Sequence, residues 1–141
     1  MPTTATNTFQ ANKLEPARAC EPRVEAVVFS ASKTIAKGTV LGRVASTNKW
    51  EAYNDAGNTG VEVARGIAMY SIVTDSSGNV FYGTSAVSEQ GPGELTAPIY
   101  VSGDFFVADL TGLDANGLAD MKGFIVFGDD LSDANAMIHI G

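Results

Sequence analysis

One cysteine, one histidine and one tryptophan in 141 residues leave little room for several kinds of chemistry. A lone Cys20 has no partner for an intramolecular disulfide, which favours a reducing compartment, and one histidine removes a His-rich metal site. Basic residues are scarce: nine Lys and Arg stand against sixteen Asp and Glu, a net charge of -7. Without a basic stripe, little is gained from counterion release on phosphate, so DNA or RNA is not an expected partner. No apolar run approaches the roughly 20 residues of a membrane span, and the opening MPTTATNTFQANK lacks the apolar core of a signal peptide. A soluble protein made in a cytoplasm is the expectation.

What is present reads as one compact β-rich domain. Apolar residues make up 45% of the chain and charged residues 18%, which argues against disorder, and the length suffices for a core without staples. The charge is uneven: residues 1–65 carry about +2 and residues 66–141 about -9. Residues 1–23 show neither helical nor strand periodicity and are Thr-rich, with Phe9 and Leu14 as the large apolar residues. They read as a flexible arm, either a frayed terminus or a segment that orders on a partner with Phe9 and Leu14 as anchors, ahead of a β-rich body at 24–141.

The densest pattern lies between Lys37 and Ala68, KGTVLGRVASTNKWEAYNDAGNTGVEVARGIA. It predicts a β-meander: a strand from Thr39 to Ala45, half-buried by its alternation, a short strand at Trp50–Tyr53, a turn cluster at Asn54–Gly60, and a strand from Val61 to Ala68. Val24–Ser30 precedes it as a first strand. Beyond it, Asp75–Asn79 is a hairpin turn joining extended segments at 67–74 and 80–83, and 85–97 is a polar Gly/Pro loop and candidate contact surface. Residues 98–101 and 104–109 read as strand segments meeting at Ser102-Gly103. Asp114 or Asn116 can cap a short helix that Gly123 ends. The apolar run Gly123–Gly128 has strand length and predicts burial on both faces, in the core or at an interface, and Ala136–Ile140 closes the chain. Many short strands with at most one or two short helices predict an all-β sandwich or barrel.

Motifs for catalysis are missing. No Ser or Cys sits in the setting of a nucleophile elbow or a cysteine enzyme. Asp129, Asp130 and Asp133, or Asp114 with Asn116, offer oxygens for calcium but do not fit the DxDxDG loop, and turn formation is their expected role. His139 is expected to face away from Ile138 and Ile140. Neither a cofactor nor a metal is expected, nor enzyme activity, although scattered Asp residues can converge without a linear motif. Trp50 and Tyr53 admit another reading, a groove of a glycan- or ligand-binding β module on a virion or cell surface.

The order GTVLGRV, turn, KWEAY, Gly-rich turn, VARGIA, then YVSGDFFVADL, GLDANGL and a terminal Ile-His-Ile-Gly resembles the head decoration protein family of tailed phages, the lambda-type capsid decoration proteins. The likeness covers about residues 24–141. It implies a small β-rich homotrimer seated on the outside of the expanded head at threefold and quasi-threefold sites, clamping the major capsid protein against the pressure of packaged DNA. It implies cement rather than catalysis, and localisation on the outer capsid surface of the virion after synthesis in the host cytoplasm. By position, the arm would add an edge strand to a capsid sheet, with Thr6, Thr8, Phe9, Leu14, Arg18 and Arg23 as candidate capsid-binding residues. Trp50, Phe105 and Phe106 are candidate trimer-interface residues. The chain is longer than the lambda type, with insertions expected at 85–97 and near 129–135.

Overall fold

A computed structural model describes residues 12–17, 22–83 and 93–141. Among these the chain is all-β, as its pattern predicts, with ten strands and one short helix. The strands are β1 (Arg23–Val27), β2 (Thr34–Ile35), β3 (Val40–Arg43), β4 (Trp50–Ala52), β5 (Ala64–Ala68), β6 (Ile72–Thr74), β7 (Val80–Tyr82), β8 (Ala97–Phe106), β9 (Phe124–Phe127) and β10 (Met137–Ile140). A seven-stranded sheet runs β4-β3-β5-β8-β10-β9, with β1 also paired to β8, and a three-stranded sheet runs β2-β6-β7.

The expected meander is folded differently. β5 returns beside β3 rather than beside β4. Two contacts explain why. The chain after β4 comes back so close to β3 that a Cβ on Gly42 would lie 2.7 Å from the Val61 Cα, a space only glycine leaves open. The outer edge of β4 is meanwhile taken by the segment after β1: the Trp50 N–H donates to the Val28 carbonyl at 2.9 Å, and the Ser30 N–H donates to the Trp50 carbonyl at 3.0 Å.

β3 was expected to be half-buried, but both of its faces are covered. Val40 packs in one core cluster with Ile67, Tyr100, Leu118 and Ile138, while Leu41, the next residue, packs in a second with Phe29, Ile35, Ile72 and Ile99. The second cluster includes Ile35 of β2, Ile72 of β6 and Val80 of β7, so the small sheet covers that face. The first includes Leu118 and Met121 from the helix Ala115–Asp120 and its end. The centre of the large sheet is thus a middle layer, which the continuous apolar character of Val40-Leu41 and Ile67-Ala68 requires.

Residues 98–109, expected as two strands, form the ten-residue β8 and a 3-10 turn at Val107–Asp109. Gly103 does not break the strand, but the strand changes parity along its length. Tyr100 and Phe105 are five positions apart and would face opposite ways in a regular strand. They nevertheless share one core, their ring centroids 5.2 Å apart. The irregularity lies between them: the pairing with β1 shifts so that Val101 is the extra residue, and Gly103 takes a φ of +142° that suits glycine.

The helix begins as anticipated. Asp114 is its N-cap, with a carboxylate oxygen accepting from the Gly117 N–H at 2.7 Å. The same oxygen accepts from the Tyr53 hydroxyl at 2.8 Å. Burial first, then this hydrogen bond and charge, raises the Tyr53 pKa well above its ordinary value. Asp120 at the other end accepts from the Ala64 N–H at 3.0 Å, fixing the helix to β5.

Candidate functional site

The far end of the large sheet carries the least protected apolar surface. Across β8, β10 and β9, Phe105, Ile138 and Ile125 are in register, and all three pack in or against the first core cluster. Their neighbours in the strands face the other way. Phe106 pairs with Met137 and Met137 with Phe127; Asp104 pairs with His139 and His139 with Phe124. Among the described residues, none from β9 or β10 packs with the small sheet in the second core cluster. Phe106 is 39% exposed, Phe124 57% and Phe127 63%. The run Gly123–Gly128, expected to be buried on both faces, is therefore corrected: β9 lies at the end of the strand order, with its outer face bare.

A register shift makes the patch contiguous. Phe124 and Phe127 are three positions apart, which would set them on opposite faces of a regular strand. The shift between Met137 and Ile138 leaves Val126 as the extra residue, so both rings share the outer face with Phe106. Between them sits a polar pair. His139 Nδ1 is 2.7 Å from Asp104 Oδ1, Asp104 is almost fully buried, and the Phe124 ring lies over the imidazole at a centroid distance of 5.2 Å. Asp104 is also tied through its backbone, its carbonyl accepting from the Ala17 N–H at 2.7 Å. His139 does face away from Ile138 and Ile140, as alternation requires.

The chain after β9 is an exposed acidic turn at 129–135. Asp130 accepts from the Ser132 N–H at 2.8 Å and from its hydroxyl at 2.5 Å, which holds the carboxyl below its ordinary pKa. Asp133 accepts from the Asp129 and Asn135 N–H groups at 3.2 and 2.9 Å. The carboxylates of Asp130 and Asp133 thus serve the turn, as expected from sequence. Among the described residues no group of three His, Cys, Asp or Glu side chains is arranged to hold a metal ion.

A third feature lies over β3, β5 and the middle of β8: a surface cavity of about 260 Å³ lined by Arg23, Glu25, Arg43, Trp50, Arg65 and Val101. Three of the chain's four arginines meet there. Nothing in the linear sequence groups them, since they stand on three different strands.

The residues named from sequence are dispersed. Thr6, Thr8, Phe9 and Arg18 lie outside the described residues. Leu14 is a core residue, 4% exposed; its N–H donates to the Met69 carbonyl at 2.6 Å, and its carbonyl accepts from the Tyr100 hydroxyl at 2.7 Å. The packed body therefore takes in residues 12–17, inside the segment read as an arm. Arg23 opens β1 and is exposed, its N–H donating to the Ser102 hydroxyl at 3.3 Å. Trp50 and Phe105 are buried, and of the three interface candidates only Phe106 reaches the surface. The 85–97 loop is described only from Gly93, where Val80 and Glu94 exchange backbone hydrogen bonds. Sequence reasoning did not single out Phe124 and Phe127, which lie in a run readable as core or as interface, and it missed the arginine cavity.

No family model matches the chain, and neither the curated proteins nor the solved structures contain a match.

Proposed function

We propose that the protein is a capsid decoration protein that self-associates as a homotrimer and binds the outside of an expanded phage head, stabilising the shell by its binding free energy. The observation that carries the reading is the bare face formed by Phe106, Phe124 and Phe127. Large exposed rings gathered on one sheet face mark an interaction surface rather than ordinary solvent exposure. Their setting is suited to assembly: the rings stand on a strand at the end of the sheet order, backed by a fully packed core. The ordered likeness of residues 24–141 to decoration proteins supplies the kind of assembly.

Such a protein acts by linkage. If it binds only the expanded shell, it shifts the equilibrium toward that shell in proportion to its affinity and concentration. Three copies joined on one platform make their later contacts intramolecular, an avidity gain of about 10² to 10⁴-fold. In this reading the strand added to a capsid sheet would come from residues before Asn12, because Leu14 is already used in the protein's own core.

The glycan-module reading relied on Trp50 and Tyr53 as exposed stacking rings. Each is only 8% exposed, which weighs against it. Light scattering with co-sedimentation on expanded and unexpanded heads tests the proposal. A trimer near three times 14.7 kDa that sediments with expanded heads alone is the expected result, and removing residues 1–11 should abolish sedimentation while leaving the trimer. A chain that stays monomeric and ignores both heads overturns it.

A further inference from the structure

We propose that the cavity lined by Arg23, Arg43 and Arg65 receives the acidic turn 129–133 of a second copy of the chain, making a head-to-tail contact that closes the trimer. The inference rests on the self-assembly reading above and adds the surfaces that meet.

The cavity is a concentration of one charge on a protein of the other. Three guanidinium groups and the single carboxylate of Glu25 line about 260 Å³, in a chain of net charge -7. Among the described residues none of the three arginine side chains is in an ion pair or hydrogen bond, since the ion pairs found are Lys33–Glu51 and His139–Asp104. Guanidinium groups are weakly hydrated forks suited to carboxylates. Trp50 and Val101 give the cavity an apolar wall, against which such pairs would be partly shielded from solvent.

The turn supplies the complement. Asp129 and Asp130 are exposed, and Asp133 is half-buried. Asp130 and Asp133 hold the backbone in shape, while the Asp129 carboxylate takes no part in the turn's own hydrogen bonds. The backbone that carries the Asp129 carboxylate is thus held in shape before contact, which lowers the ordering cost to that of the side chain itself.

One chain does not satisfy both sides itself. Val101 of β8 lines the cavity, and Phe106, five residues on, belongs to the bare face. That separation is about 16 Å at the rise of a strand. Phe127 is level with Phe106 through Met137, and the turn follows Phe127. Basic cavity, phenylalanine face and acidic turn therefore succeed one another along β8, so the two charged ends meet between copies. Different patches meeting make a heterologous contact, which forms a ring when the rotation closes.

The test is charge reversal and its repair, read by sedimentation equilibrium of the full chain in low salt and at about 1 M salt, where exposed charges are screened. Arg23→Glu with Arg65→Glu, and separately Asp129→Lys, should each raise the trimer dissociation constant at least about tenfold. Combining all three substitutions in one chain should restore most of that loss, because the signs are complementary again; restoration also shows that each variant folds. A trimer indifferent to all the variants overturns the cavity–turn contact and leaves the trimer reading intact. Reversals that weaken assembly without repair by the combined variant overturn the pairing of these two surfaces. A charge-dependent dimer preserves the pairing but overturns the threefold closure, and a wild-type monomer at every concentration and salt overturns both.

Discussion

At β5 the large sheet presents Ile67 to one side and Ala68 to the other, both sealed from water, whereas at β9 Ile125 packs inward and Phe124 and Phe127 stand in solvent on the opposite face. The two regions share one sheet, and each strand offers apolar side chains to both of its faces. They differ in what lies over the second face: the small sheet β2-β6-β7 packs there at one end, and at the other Phe106, Phe124 and Phe127 are left exposed. Burial is therefore decided by the layer above a strand, and the uncovered end is where a partner adds most.

The largest break in this comparison comes from a matched pair of truncations. Ile67→Ala removes a fully buried side chain from the two-sided region and should cost about 2 to 5 kcal/mol. Phe127→Ala, although it deletes more apolar volume, should leave the stability of the isolated chain almost unchanged, because the ring is already 63% exposed. Urea titration of both variants measures this. Equal losses would mean that β9 is covered in solution, and repeating the titration over a range of protein concentrations would show whether another copy covers it.

The junction between the two regions is the next point to probe. Gly103→Ala forces a Cβ to 3.2 Å from the Phe105 ring and from the Pro22 Cβ, at a φ of +142°. A loss of about 1 to 3 kcal/mol is expected from the strained backbone. The near-ultraviolet signal of the packed aromatic rings should weaken as well, since the added Cβ presses on the Phe105 ring that packs with Tyr100.

The sequence made this architecture legible in part, for physical reasons that differ along the chain. The hairpin at Asp75–Gly78 was readable because its chemistry is local: the Asp75 carboxylate accepts from the Ser77 and Asn79 N–H groups, both at 2.9 Å, and Gly78 has positive φ. Asp114 was readable as a helix cap for the same reason. GFIVFG was not, because a strand buried on both faces and an edge strand with a bare apolar face share the same letters, and only the covering layer separates them. Nor could the strand order β4-β3-β5 be read, since Gly42 admits Val61 through a contact nineteen positions away. Leu14 looked like a partner's anchor because short irregular segments carry no periodicity; its place is set by hydrogen bonds to Met69 and Tyr100. The arginine cavity draws one residue or two from each of several strands, a grouping that exists only after folding.

A smaller effect concerns the tie between Leu14 and the body, and it has a pH signature. Burial, followed by the nearby Glu15 and Tyr70, pushes the Tyr100 hydroxyl up to about 12. A phenol whose folded pKa is raised stays protonated in the native state while the unfolded chain begins to ionise near pH 10. The unfolded chain then binds fewer protons, so stability is complete below about pH 10 and is lost as pH rises from there toward about 12. Tyr100→Phe removes this titration and the hydrogen bond to the Leu14 carbonyl, costing about 1 to 2 kcal/mol at neutral pH. Above pH 10 its stability should fall less steeply than that of the wild type. Tyr53, Tyr70 and Tyr82 are also raised by burial, so some alkaline slope should remain. Urea midpoints at intervals from pH 8 to 12 give the comparison, and identical slopes for variant and wild type would show that Tyr100 ionises freely in the native state and that the segment around Leu14 is open to water.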